Sequence, residues 1–274
     1  MNESLKRLVS GVVYVVLLLV VTSYSKTSFY ILFGIFMLIA VYEFCRLVNL
    51  NIILPLLFGA FTYTLATYFK EHYLPDSEHM NDGLLLLATL FVSIKCLHLL
   101  FISNKEKIDK LSKYIYTIGY VIFPFILITK IPFGKYGYYN PQIIISIFIL
   151  IWTNDTFAYI VGKSLGKHKL YEKISPKKTI EGFIGGILFS VIAGIIISKY
   201  YIGGSLLIWT ISPIIISIFS TLGDLIESKF KRIAGVKDSG KIMPGHGGIL
   251  DRLDSIIFVA PFVYLFYQIL YYVS

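Results

Sequence analysis

Nine runs of apolar residues, each close to the length that crosses a lipid bilayer, constrain this chain more than any other feature. They run approximately Leu8–Ser23, Thr27–Phe44, Asn51–Tyr68, Leu84–Leu100, Tyr114–Ile128, Ile143–Ile160, Gly182–Ser198, Ser205–Leu222 and Ser255–Tyr272. A helix needs roughly 20 mainly apolar residues to cross about 30 Å of hydrocarbon. The longer runs lack the period-2 alternation of a membrane barrel, so helices are the expected form. Composition agrees: 56% of residues are hydrophobic, 15% are charged and the mean hydropathy is +0.75. A soluble domain usually carries about 25% charged residues. The first run follows Lys6 and Arg7 as a signal peptide would, but it lacks a clear small-x-small cleavage site and reads as a retained helix. Cys45 and Cys96 lie far apart in apolar spans and read as small buried hydrophobes, which leaves no disulfide framework and no Cys-based metal site.

The basic residues orient the spans. Place the N-terminus and the connections after even-numbered runs on one side. That side holds nineteen of the 25 Lys and Arg residues, and the other holds only Lys26, Lys70, Lys130, Lys135 and Lys199. Cytoplasmic loops carry the excess of Lys and Arg. The sequence therefore predicts an all-α polytopic membrane protein of about nine transmembrane helices, N-terminus cytoplasmic and C-terminus outside. The net charge of +9 marks one face and does not argue for nucleic acid; it suits anionic lipid headgroups and phosphate ligands. The chain divides near residue 140. Residues 1–140 hold about five spans joined by ordinary polar loops, with the acidic patch Glu71, Asp76, Glu78 and Asp82 on the outer side. Residues 141–274 hold a catalytic region with cytoplasmic loops 163–181 and 228–253. No internal repeat or low-complexity linker is evident.

Ionisable groups at membrane depth are costly, about 2.5–3.5 kcal/mol each on insertion scales. Three places carry them: Asn154-Asp155 deep in the sixth run, Asp224 with Glu227 at the end of the eighth, and Asp251 with Asp254 opening the ninth. Each of the latter pairs is spaced i,i+3 and shares a helix face. Carboxylates converging from separate helices indicate a hard-cation site, and magnesium fits because it takes one or two carboxylates and completes its shell with water and substrate phosphates. The competing reading is structural pairing with nearby Lys and Arg, and it is the stronger one for Glu227.

Between the carboxylate pairs lies a basic, glycine-rich segment with Lys229, Lys231, Arg232, Lys237, Lys241, Gly240, Gly245, His246, Gly247 and Gly248. Glycines let backbone N–H groups approach phosphate oxygens, and a helix starting just after Gly247-Gly248 adds a positive dipole end. Two of the four arginines, Arg232 and Arg252, fall here in an otherwise Lys-biased chain, as planar phosphate contacts would require. A positive-inside loop explains the lysines but not the Pro-Gly-His-Gly-Gly run. In the other basic loop, Ser175 reads as an N-cap with Pro176 at the first helical position, which sets Lys177 and Lys178 in the first turn, where they oppose the dipole unless an anion binds. His168 reads as a loop residue without a role.

These residues resemble the signature of the phosphatidate cytidylyltransferases. Ser228, Lys231, Arg232, Lys237, Asp238, Pro244, His246, Gly247, Gly248, Asp251, Arg252 and Asp254 occupy the places of the family pattern with the spacing intact. Met243 departs from the usual Ile, Leu or Phe. The resemblance extends to Asn154-Asp155-Thr156, to Ser175-Pro176-Lys177-Lys178-Thr179 and to Gly223-Asp224, so it covers about the last 125 residues by motif and the first half by hydropathy alone. It implies transfer of CMP from CTP to phosphatidate, giving CDP-diacylglycerol and pyrophosphate, with magnesium required and a monovalent cation such as potassium as a second ion. It also implies a homodimer in the bacterial inner or plasma membrane, its site facing the cytoplasm. By that likeness Asp224 and Asp251 would hold the metal, and Asp254 and Asp238 would support the reaction. Lys177, Lys178, Ser228, Lys231, Arg232, Lys237, His246, Gly247, Gly248 and Arg252 would bind substrate, with Asn154 and Asp155 lining the cavity.

Other classes stay open at this level. A transporter could use Asp155, Asp224 and Asp251 as an ion path, although the missing repeats and the one-sided clustering weigh against it. A CDP-alcohol phosphotransferase would need an Asp-Gly-x-x-Ala-Arg motif that is missing, and a CTP-dependent polyprenol kinase would share the nucleotide and lipid demands.

Overall fold

The computed structural model describes residues 3–69, 78–102, 107–133 and 137–273. Among these residues nine helices follow one another, one for each apolar run. They are α1 (Glu3–Tyr24), α2 (Lys26–Leu47), α3 (Ile53–Thr64), α4 (Glu78–Phe101), α5 (Lys110–Phe133), α6 (Pro141–Leu165), α7 (Ile180–Ile197), α8 (Leu206–Ile233) and α9 (Leu250–Val273). Eight contain stretches long and apolar enough to cross a membrane, and α3, within the apolar stretch Ile53–Tyr68, is shorter. The chain is an all-α polytopic membrane protein, with one small hairpin, β1 (Lys169–Tyr171) and β2 (Ser175–Thr179), among the described residues. Of the acidic patch in the first half of the chain, Asp82 pairs with Lys130 at 2.8 Å; Glu71 and Asp76 lie outside the described residues, as do Lys70, Lys105 and Lys135. Cys45 and Cys96 are buried free thiols.

The helices differ in what they face. Val9, Val12, Val13, Val16 and Val20 are exposed along α1, and Ile184, Leu188, Ile192 and Ile195 recur at helical spacing down α7. Such faces would need covering in water, whereas in a bilayer they meet acyl chains of equal polarity. Helix α9 is the opposite case. Leu253, Ile256, Ile257, Val259, Ala260 and Val263 are all 0–1% exposed, so protein surrounds its turns from 253 to 263. A carboxylate on its first turns must therefore find its partners inside the protein. Helix α8 lies directly against it: Phe219 stacks on Phe262 with ring centroids 3.5 Å apart. At Gly223 a Cβ would stand 2.8 Å from the Asp254 carbonyl oxygen, so only glycine allows this approach.

Two local expectations are corrected. Ser175 and Pro176 do not open a helix. They lie in β2, which pairs antiparallel with β1 through Lys169 with Thr179 and Tyr171 with Ser175. The cap is Thr179, whose hydroxyl accepts the Gly182 N–H at 3.1 Å. The helix that starts there has Glu181 in its first turn, the charge the dipole favours, instead of two lysines. No cation stands in that first turn to draw an anion; Lys177 and Lys178 are consecutive strand residues, which point to opposite faces. His168, expected to have no role, lies 2.6 Å through Nδ1 from Glu181 Oε1. The second correction concerns the 228–253 loop. Helix α8 continues past its apolar run to Ile233, because Leu225, Ile226 and Phe230 keep a buried face while Glu227 and Lys231 form an i,i+4 pair. Ser228, Lys231 and Arg232 are thus helical, and the connection to α9 is residues 234–249.

Candidate active site

Three carboxylates meet where α8 packs on α9. Asp224, Glu227 and Asp254 each offer an oxygen, and these oxygens lie within 4.8 Å of one another. The arrangement follows from the local sequence: Asp224 and Glu227 are one turn apart on α8, and Gly223 draws α9 close enough to add Asp254. Glu227 is 1% exposed and Asp254 9%. Like charges this close inside protein repel strongly unless cations intervene. Two lysines do so. Lys178, from β2, pairs with Asp224, and Lys231 pairs with Glu227 and donates to Asp251 Oδ1 at 2.7 Å. Glu227 Oε1 stays buried without a hydrogen-bond partner among the described residues. Three convergent carboxylates with an unused acceptor fit a hard divalent cation such as magnesium.

Asp251 sits beside this cluster in a different setting. Its Oδ2 accepts the Gly248 N–H at 2.7 Å, and the Ser239 N–H and hydroxyl, each at 2.9 Å. With Oδ1 on Lys231, both oxygens are engaged, so a metal role for Asp251 requires Lys231 to yield. The Gly248 N–H, expected to face phosphate, faces this carboxylate. Gly247 adopts φ 90°, a left-handed conformation that favours glycine, with the Asp251 carboxylate against the place a Cβ would take.

The other expected residues divide into two groups. Asn154 is buried at the site wall, donating to Ser220 Oγ at 3.2 Å and to Asp155 Oδ1 at 3.3 Å, and its own Oδ1 is buried without a partner among the described residues. Ser228 donates to Asp224 Oδ1 at 3.2 Å. By contrast Lys177, Arg232, Lys237, Asp238 and Arg252 are exposed. Arg232 donates to the Val236 carbonyl at 3.3 Å, and Arg252 to the His246 carbonyl at 3.1 Å.

A cavity of about 200 Å³ opens between α1, α6 and α9, lined by Tyr14, Trp152, Asp155, His246, Arg252 and Asp254 among others. It joins an apolar wall to the charged cluster, as a ligand with both characters requires. A larger depression of about 620 Å³ runs along Asn49–Leu54 and Lys110–Tyr114, but no carboxylate lines it. His246 closes the cavity from the connection, its Nδ1 2.7 Å from Ser10 Oγ on α1. Burial, then the nearby Arg252 and Arg7 charges, hold its imidazole below the ordinary histidine range. The folded state therefore binds fewer protons here than the unfolded chain, and stability falls as pH drops from about 6.5 towards the lowered value. The loss of melting temperature between pH 7.5 and 5.5 is expected to be smaller in His246→Gln than in the original protein; equal losses in thermal scans would contradict this.

Two residues were missed from sequence. Glu227 forms the structural pair expected of it, with Lys231, and its place beside Asp224 and Asp254 is the part that was missed; its i,i+3 spacing from Asp224 was the available signal. Glu43, in α2, is 2% exposed and accepts the N–H groups of Ile249 and Leu250 at 3.2 and 2.8 Å. Nothing near it in sequence points to a partner more than 200 positions away.

Comparison with known proteins fits this geometry. Over 116 residues the chain is 57% identical to a protein named phosphatidate cytidylyltransferase from Staphylococcus haemolyticus (strain JCSC1435), a stretch covering 42% of this chain and 44% of that relative. Proteins of the same name from Staphylococcus aureus (strain COL) and Staphylococcus saprophyticus subsp. saprophyticus are 53% identical over the same extent. These matches span less than half of the relatives' length. A profile of the cytidylyltransferase family, however, matches residues 5–270, nearly every helix described above, and the chain belongs to that family.

Proposed function

We propose that this protein is a magnesium-dependent phosphatidate cytidylyltransferase. The observation that carries the reading is the meeting of Asp224, Glu227 and Asp254, flanked by Lys178 and Lys231, at the edge of a cavity with one apolar wall. That combination suits joining a polyphosphate to a lipid. A phosphate oxygen of phosphatidate attacks the α-phosphorus of CTP; the new P–O bond forms as the bond to the bridging oxygen of the β-phosphate breaks, and pyrophosphate leaves. The phosphatidate oxygen is largely ionised near neutral pH, so no general base is required.

Asp224, Glu227 and Asp254 would hold magnesium, with Asp251 adding the Oδ1 that Lys231 engages. When bound, magnesium would neutralise phosphate charge and orient the leaving group. A monovalent cation such as potassium is the proposed second ion. Lys178 and Lys231 would meet phosphate oxygens, their ammonium groups already fixed beside the reacting space. Lys177, Arg232, Lys237 and Arg252 would receive the nucleotide from the aqueous side, and His246, Gly247 and Asp238 would shape the connection that borders it. Asn154 and Asp155 would line the cavity, with Tyr14 and Trp152 against the lipid. On this reading residues 141–274 carry the chemistry, residues 1–140 support it and serve a homodimer, and the site faces the cytoplasm of a bacterial cell.

Purified protein given CTP, phosphatidate and magnesium is expected to release pyrophosphate, and release is expected to stop when phosphatidate is left out. Release that ignores the lipid, or no release with all three present, would overturn the reading. Reconstituted protein that moved an ion but made no lipid product would favour a transporter.

A further inference from the structure

Glu43 joins α2, in the N-terminal half of the chain, to the segment that opens α9. Its carboxylate, almost wholly buried in α2, accepts the N–H groups of Ile249 and Leu250 at the start of α9 and also meets the Ser239 hydroxyl. The first N–H groups of a helix have no partner within it, and the positive dipole end there favours an anion. Here that anion comes from another helix. The glycines around it fit tightly: a Cβ at Gly240 or Gly248 would collide with the Glu43 carboxylate.

What Glu43 holds is the segment that carries the chemistry. Ser239 and Gly248 hold Asp251 Oδ2, Asp251 Oδ1 engages Lys231, and Lys231 pairs with Glu227. One turn beyond Asp251 stands Asp254, the only member of the carboxylate cluster supplied by α9. Glu43 and Asp251 thus hold three successive amides, those of Gly248, Ile249 and Leu250, where α9 begins. The geometry points to Glu43 as a positioning residue that keeps Asp251 and Asp254 in register with Asp224 and Glu227 for divalent-cation binding. This rests on the cation site of the reading above and deepens it. Groups that orient metal ligands typically change metal affinity or activity by about 10- to 100-fold when removed.

The test uses the full-length protein carrying Glu43→Gln, which keeps the shape and one acceptor oxygen but loses the charge, beside Glu43→Asp, which keeps the charge on a shorter stem. Manganese(II) is the probe, with binding followed by electron paramagnetic resonance and amide hydrogen exchange followed over residues 239–254. Glu43→Gln is expected to weaken manganese binding by about 10- to 100-fold and to speed exchange at Ile249 and Leu250, with Glu43→Asp recovering part of both. Wild-type affinity in Glu43→Gln overturns the proposal. So does failure of Glu43→Gln to fold, judged by helix content and size-exclusion profile, because the role would then be structural alone. Both readouts are independent of turnover. If the original protein binds manganese but makes no product from CTP and phosphatidate, the proposed function fails while the role of Glu43 is still decided.

Discussion

Asp254→Asn is expected to lower the rate of pyrophosphate release by about 10²- to 10³-fold at saturating CTP, the range seen when one preorganised polar group that stabilises a transition state is removed. The substitution keeps the side-chain shape, and the oxygen that accepts the Ser255 N–H at 2.7 Å can still do so. What it removes is the only charge that α9 adds to the carboxylate cluster. Asp224→Asn and Glu227→Gln are expected to fall in the same range. Groups that act as a unit are strongly non-additive, so the Asp224→Asn, Glu227→Gln pair should cost little more than either change alone. Initial rates on the three single variants and the pair decide this. Near-wild-type turnover in Glu227→Gln would return that residue to a structural role.

Lys231→Met is expected to have the largest effect on stability. Lys231 stands between Glu227, 1% exposed, and Asp251, whose side chain is 6% exposed, and it pairs with both. Removing one partner of a buried ion pair leaves uncompensated charge and costs about 3–5 kcal/mol. Asp251 keeps its Ser239 and Gly248 donors, so the cost falls mainly on Glu227. Magnesium would neutralise the same acids, and a ligand that binds only the folded state raises its stability in proportion to its affinity. Adding magnesium should therefore raise the melting temperature of Lys231→Met more than that of the original protein. It should not restore turnover, because the ammonium proposed to meet a phosphate oxygen stays absent. A variant that melts like the original protein without magnesium would contradict the pairing.

The lipid-spanning architecture and most of the acids were legible in the sequence because each leaves a local mark. An apolar run of bilayer length has few other uses, and Asp224, Asp251 and Asp254 stand out because charge beside such a run is costly. Glu227 carried the same mark but had basic neighbours to explain it away, and only the packing of α8 on α9 at Gly223 shows that it meets Asp254. Glu43 was invisible for a different reason. In Tyr-Glu-Phe-Cys-Arg it reads as the end of a span, and its partners, the Ile249 and Leu250 amides, are backbone groups that carry no residue signature. The hairpin at 169–179 was hidden by two capping signals in competition. Ser175-Pro176 has the residue types of a helix start, but Thr179 with Glu181 suits the dipole, while strands of three and five residues are too short to show alternation. Asp251 shows the limit of motif spacing, which can name a carboxylate but not which amide or ammonium holds each oxygen.

The carboxylates of α8 and α9 are proposed to serve transfer of CMP to a lipid. CTP labelled at its α-phosphate in one reaction and at its γ-phosphate in another, each given to the purified protein with phosphatidate and magnesium, tests it directly. The expected result is α-label in the lipid extract and γ-label in pyrophosphate, with both products lost in Asp254→Asn. Label from the γ-phosphate in the lipid would mean a kinase instead, and α-label transferred equally by Asp254→Asn would contradict the site.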